Sequence, residues 1–181
     1  MKFTASQEHT LMSIAEWAIQ DYLTTGKIHP LPDSFDVHGQ LSEKLGAFVS
    51  VYVDSELRGC IGTFSESDPL YQNIRRMAVQ AATEDHRFSP LEKKDIPRMQ
   101  LELSVLSKRK QIHGPDEIEI GKHGIYLING FRRATLLPQV AEKNNFSPVE
   151  FLECCAENKL GLNKHSWKDS ELYVYEAIVI S

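Results

Sequence analysis

The segment Leu57–Gly62, which reads LRGCIG, combines residue types that could bind and attack a ligand. Arg58 offers a fixed positive fork for a carboxylate or phosphate, and Cys60 offers a thiol nucleophile. In a functional interpretation, Gly59 and Gly62 let a ligand approach the backbone and its bare amides. In a structural interpretation, Cys60 is a small core residue and the glycines allow a bulge or a close crossing of another segment.

A cysteine nucleophile needs a base within hydrogen-bond reach. His123 is the first candidate, because Gly121 and Gly124 flank it and indicate a tight turn that would present the ring. His86 is the second candidate. For either histidine the alternative is a role at the surface or in capping a turn, and the sequence leaves open whether Cys60 and His123 meet.

Three further charged residues are candidates for the ligand-binding set. Asp85 and Arg87 lie in a polar connector, where they either contact a ligand or pair with each other and tie down the returning chain. Glu102 lies on the polar face of an alternating strand. If that face is covered, the carboxylate needs a cation, and Arg58 or Arg87 would serve.

Composition and charge disfavour several functional classes. The formal net charge of −5 disfavours general binding to the phosphate backbone of nucleic acid, and SKRK at Ser107–Lys110 is the only dense basic stretch. The seven histidines and three cysteines show no spacing typical of a metal site or a disulfide framework. No apolar run approaches the length of a membrane span, and no signal-peptide pattern appears, so we expect a cytoplasmic protein.

Local patterns predict the elements that must position these residues. A capping box at Thr4 begins a helix, and Ala47–Val53 and LRGCIGTF read as two strands of a hairpin. Asp68-Pro69 starts a second helix, and MQLELSVLS alternates as a half-buried strand. Asn129-Gly130 predicts another hairpin, and Ser147-Pro148 begins a helix before the closing strand ELYVYEAIVI.

Because strands and helices do not alternate strictly, this order favours an α+β fold with mixed or antiparallel sheets and packed helices. At 181 residues the chain is one domain, or two small lobes that share a core.

The motifs, taken in order, resemble the AMMECR family, whose bacterial and archaeal members are called AmmeMemoRadiSam system protein A. The resemblance rests on the motifs LRGCIG, AATEDHRFSP (Ala81–Pro90), LELSVLS (Leu101–Ser107), GKHGIYL (Gly121–Leu127), TLLPQVA (Thr135–Ala141) and LGLNKHSW, which ends at Trp167. It covers nearly the whole chain, so residues 1–181 are interpreted as one AMMECR-type domain.

The resemblance implies two unequal lobes with a cleft between them. It also implies partners among Memo-like and radical S-adenosylmethionine proteins, and it names neither a reaction nor a cofactor. We therefore expect a small anionic ligand or a modified side chain to bind in a cleft walled by LRGCIG, with Cys60 as a nucleophile in a cysteine-dependent enzyme. The alternative is a protein–protein interaction module without catalysis.

Overall fold

The chain folds into helices packed on antiparallel strand pairs, so the α+β prediction is confirmed. The computed structural model describes residues 2–181. The chain divides into two units of unequal size. Unit 1 comprises the chain up to Leu106 together with Ile178–Ser181, and unit 2 comprises Ser107–Ala177.

Unit 1 pairs three antiparallel strands and packs two helices on one face of them. Its elements are α1 (Ala5–Thr25), β1 (Ala47–Val53), β2 (Glu56–Thr63), α2 (Leu70–Thr83) and β3 (Met99–Leu106). Strand β1 is central, with β2 on one side and β3 on the other, and β2 ends the sheet order. The last residues of the final strand, from Ile178 onward, also belong to this unit.

Alternation decides which face of the unit 1 sheet is buried. In β1 the odd-numbered residues from Ala47 to Val53 are buried, and the even-numbered residues are only partly covered. Leu101, Leu103 and Val105 of β3 join the buried side, as the sequence predicts. The helices cover this side with Leu11 and Ile14 of α1 and with further apolar residues of α2, which leaves the other face with its polar side chains.

Helix ends in unit 1 follow local signals, with one difference. The capping box of Thr4 with Gln7 begins α1, and Gly26 ends it in the left-handed conformation at φ 72°. Helix α2 begins one residue later than predicted, with Pro69 rather than Asp68 at the N-cap position. The Asp68 carboxylate binds Arg76 at 3.1 Å instead of capping the helix.

Unit 2 packs two helices on four strands. Its elements are β4 (Lys110–Ile112), β5 (His123–Asn129), β6 (Arg132–Leu136), α3 (Pro138–Asn144), α4 (Pro148–Asn158) and most of β7 (Glu171–Ile180). Strand β7 pairs antiparallel with β4 and β5, and β5 pairs antiparallel with β6. The predicted hairpin is present, with Gly130 at φ 58° in its turn.

Helix α4 supplies much of the unit 2 core. Ser147 and Glu150 form the predicted capping box, and Pro148 is its first residue. Cys155 is fully buried and Cys154 is half-buried, so one sulfur lies in the core and one at its boundary. No helix among residues 2–181 is both long enough and apolar enough to cross a bilayer.

Candidate functional site

Cys60 lies on the polar face of the unit 1 sheet, in a row that crosses three strands. Ser50 of β1 is the register partner of Cys60 on β2 and of Glu102 on β3. The Ser50 Oγ donates a hydrogen bond to Cys60 Sγ at 3.3 Å. Because neighbouring strands lie about 4.8 Å apart, the thiol and carboxylate ends of the row start roughly 10 Å apart. A thiol, a hydroxyl and a carboxylate are thus aligned on one face.

Tyr52 lies next to this row on the same face of β1. Burial raises the pKa of its phenol, and the negative charges of Glu102 and of a Cys60 thiolate raise it further, while a hydrogen bond with Ser50 acts in the opposite direction. The phenol therefore keeps its proton at neutral pH and remains a hydrogen-bond donor beside the thiol.

The outer edge of β2 is closed at Cys60 by an ion pair. The Cys60 N–H donates to Asp85 Oδ2 at 2.9 Å, and Arg87 Nη2 donates to the Cys60 carbonyl at 3.4 Å. The guanidinium also holds Asp85 through Nε at 2.9 Å and Nη2 at 2.7 Å. Asp85 and Arg87 thus pair with each other and satisfy backbone groups that an edge strand would leave open.

The two charged side chains at this edge, Asp85 and Arg87, differ strongly in their exposure to solvent. The Asp85 side chain is 6% exposed, whereas that of Arg87 is 62% exposed. The Arg87 guanidinium holds the pKa of the Asp85 carboxyl well below its usual range, against the effect of burial and with help from the Cys60 N–H. The same hydrogen bond raises the pKa of Arg87. Arg87 is therefore a permanent cation with an exposed side beside the thiol.

Arg58 occupies a β-bulge two residues before Cys60 on β2. Val51 pairs with Gly59 and Tyr52 pairs with Leu57, so Arg58 is the extra residue. Its Nη2 donates to the Ser89 carbonyl at 3.3 Å. The bulge directs the Arg58 side chain toward the connector that also carries Arg87.

Neither glycine of the segment leaves open space where its side chain would be. A β-carbon on Gly59 would lie 1.8 Å from the Ala81 carbonyl oxygen of α2. A β-carbon on Gly62 would lie 2.2 Å from the Phe48 ring and 2.7 Å from the Ala47 carbonyl oxygen. The close crossing of another segment, the structural interpretation of these glycines, is what the structure has at Gly59.

The remaining predicted residues are divided between the units. Cys60, Arg58, Asp85, Arg87 and Glu102 all belong to unit 1, whereas His123 begins β5 in unit 2. The pairing of Cys60 with His123 stays a prediction.

The ring of His123 is already engaged within unit 2. Its Nδ1 accepts the Glu119 N–H at 3.1 Å, which places the proton of the neutral ring on Nε2. In that tautomer Nε2 is a donor, which does not favour a role as general base.

Sequence reasoning missed Ser50 and Tyr52, although both stand on the same face as Cys60. The signal was present in β1, where AFVSVYV carries a serine within an otherwise apolar strand. The register that places Ser50 opposite Cys60 depends on the β1–β2 hairpin. The contact between Ser50 and Cys60 therefore could not be predicted from the sequence of β1 alone. Among residues 2–181, no three His, Cys, Asp or Glu side chains converge in a group that could hold a metal ion.

Comparisons with known proteins agree on the family. The AMMECR1 family model matches residues 12–180. The chain is 38% identical to Protein MK0488 of Methanopyrus kandleri, over 98% of this chain and 89% of that protein. It is 36% identical to Protein NEQ441 of Nanoarchaeum equitans, over 91% of this chain and 96% of that protein.

A solved structure shows the same fold. The crystal structure of the uncharacterized protein PH0010 from Pyrococcus horikoshii superposes with a TM-score of 0.81 at 31% identity. The match covers 93% of this chain and 88% of that one. The family model, the relatives and the fold all lead to one conclusion: the chain belongs to the AMMECR1 family.

Proposed function

We propose that the polar face of unit 1 binds a small anionic ligand or a modified side chain, and that Cys60 is the group that reacts with it. The observation that carries the proposal is that Cys60 has a hydroxyl donor at its thiol and an exposed guanidinium at its backbone carbonyl. Ser50 donates to the sulfur at 3.3 Å, and Arg87, 62% exposed, reaches the carbonyl of the same residue.

The division of roles follows from charge and hydrogen bonding. Arg87 and Arg58 would hold the anionic group, because an arginine fork matches the oxygens of a carboxylate or phosphate. The Ser50 hydroxyl donates to the sulfur at 3.3 Å and so orients the Cys60 side chain. Asp85 acts as a positioning residue, since it fixes the Arg87 side chain through two hydrogen bonds.

Charge-selective alkylation of Cys60 tests this proposal. We expect the rate with iodoacetate, relative to iodoacetamide, to be about three- to tenfold higher at Cys60 than at glutathione, because nearby cations attract the anionic reagent. Arg87→Gln and Arg58→Gln should lower this ratio. Mass spectrometry of the modified peptides gives both rates.

The experiment needs a Cys154→Ser background, because the Cys154 thiol is half-buried. Burial raises the pKa of Cys155 to about 12, so that thiol stays protonated and inert. Lys44→Gln, which removes one exposed cation elsewhere in unit 1, is the matched control. If the ratio of the iodoacetate rate to the iodoacetamide rate equals that of glutathione in every variant, the proposed anion-binding site is excluded.

A second candidate function is a protein–protein interaction module, and one exposed side chain favours it. Phe131, at the tip of the β5–β6 hairpin, is 105% exposed. Fully exposed aromatic residues are common anchors in interfaces. We propose that the Memo-like and radical S-adenosylmethionine proteins implied by the family resemblance are the partners to test.

Pull-down of purified Memo-like and radical S-adenosylmethionine proteins distinguishes the two functions. If the hairpin tip is the anchor, Phe131→Ser should lower the affinity for a partner at least about tenfold, the usual loss at an interface hot spot. Cys60→Ser should leave that affinity unchanged. Equal retention by the wild-type and Phe131→Ser proteins would exclude the hairpin tip as the contact.

A further inference from the structure

Unit 1 contains an open groove of about 590 Å³ next to the polar row. Glu102, the last residue of the row, and Tyr52, which lies beside the row, line the groove together with Met12 and Glu16 of α1. Met99 and Leu101 of β3 complete its apolar wall. The groove therefore adjoins the carboxylate end of the row that begins at Cys60.

The lining of this groove combines two glutamates and three apolar side chains with uncharged polar residues. None of the described residues that line it is a lysine, arginine or histidine. Glu16 and Glu102 have no cationic partner among residues 2–181. Methionine side chains are flexible and polarizable and adapt to an alkyl chain. An alkyl chain that ends in an ammonium group matches both features, because its methylenes contact the methionines and its charge meets the carboxylates.

The opposite end of the row carries the opposite charge. The guanidinium of Arg87 contacts the Cys60 carbonyl, and Arg58 lies over the same connector. A ligand lying across Ser50 would therefore meet the cations at the outer edge of β2 and the Glu102 carboxylate at the other end of the row, which is two strand spacings, roughly 10 Å, from Cys60.

We infer that the ligand of this site is a zwitterion, an amino-acid-like molecule with its anionic group at Arg58 and Arg87 and an alkylammonium group in the Glu102 groove. The inference rests on the proposed function, since it assumes that the β2 edge binds the anionic group. It adds the second charge and the alkyl chain that joins the two groups. Ser50 then faces the middle of the bound molecule, and the Cys60 thiol lies at its anionic end.

Three probes with the same alkyl chain test the inference: ε-aminohexanoate, hexylammonium and hexanoate. Each is titrated into nitrogen-15-labelled protein, and the affinity is read from the amide shifts of Tyr52, Cys60 and Glu102. We expect ε-aminohexanoate to bind about three- to tenfold tighter than either singly charged probe, because it meets both charged ends of the row.

Two variants that each remove one charge show which end of the row binds which charged group of the probes. Glu102→Gln should weaken ε-aminohexanoate and hexylammonium by about three- to tenfold and leave hexanoate unchanged. Arg58→Gln should weaken the two carboxylate probes and leave hexylammonium unchanged. Glu43→Gln, which removes an exposed carboxylate elsewhere in unit 1, is the matched control and should change none of the three.

The outcomes separate the inference from the function on which it rests. If hexylammonium causes no shift, or binds equally to wild type and Glu102→Gln, the zwitterion is excluded even when Arg58→Gln still weakens hexanoate. If hexanoate binds equally to wild type and Arg58→Gln while Glu102→Gln weakens hexylammonium, the groove is a cation site and the anion-binding function fails.

Discussion

Replacing Gly59 by alanine is expected to lower the free energy of unfolding by at least about 3 kcal/mol. The new β-carbon would lie 1.8 Å from the Ala81 carbonyl oxygen and 2.8 Å from its carbon. Both atoms belong to the backbone of α2, so no side-chain rotation can relieve the contact. Strand β2 and the helix must separate, and buried packing along α2 is lost with them. Unfolding in guanidinium chloride, followed by circular dichroism, measures the change in the free energy of unfolding.

Gly26→Ala is the matched control for this prediction. A β-carbon on Gly26 would have no atom within 4 Å, but the φ of 72° at this position is unfavourable for alanine. That substitution should cost only about 1 kcal/mol, the usual penalty for a non-glycine residue in the left-handed region. Equal midpoints for Gly59→Ala and wild type would show that β2 and α2 are not in the close contact described.

Replacing Asp85 by alanine is expected to cost about 2–3 kcal/mol of unfolding free energy at pH 7, the range for hydrogen bonds to a charged group. The carboxylate is buried and joins the Cys60 N–H to the Arg87 guanidinium. Its removal leaves both donors without this acceptor and opens the edge of β2. Asp85→Asn should cost less, because the amide oxygen can still accept the Cys60 N–H. Urea unfolding of the three proteins measures the differences.

The contribution of Asp85 should depend on pH in a defined direction. Because Arg87 lowers its pKa in the folded protein below the unfolded value of about 3.9, the folded state binds fewer protons than the unfolded state. The stabilisation is therefore complete above that value and declines as the pH falls below it. The difference in unfolding free energy between wild type and Asp85→Asn should be constant from pH 7 to pH 5 and become smaller toward pH 3. A difference that stays constant down to pH 3 would contradict the ion pair.

Local signals predicted the hairpins and the helix ends, except for the start of α2, which differed by one residue. The capping boxes at Thr4 and Ser147 and the Asn129-Gly130 turn depend on neighbours a few residues away, so they can be read from the chain directly. The alternation of β3 likewise identified Leu101 and Leu103 as buried and Glu102 as lying on the other face. At the start of α2, the Asp68 carboxylate pairs with Arg76 rather than capping the helix.

The candidate site was predictable only as a set of residue types. The sequence offered the pairing of Asp85 with Arg87 as one of two interpretations, and it does not show that the pair closes the edge of β2 at Cys60, which is 25 residues from Asp85. It marks Gly59 as unusual without showing that Ala81 of α2 fills the space. These features depend on contacts between segments that meet only after folding.

By itself, the sequence determined the family, the α+β class and the residue types that could do chemistry, because motifs and periodic patterns are local properties of the chain. Only the tertiary structure decided that Cys60, Ser50 and Glu102 share a row, because the register of β1 with both neighbours fixes which side chains lie side by side. It also decided that α2 packs against Gly59, since the depth to which α2 approaches β2 is a property of the folded core.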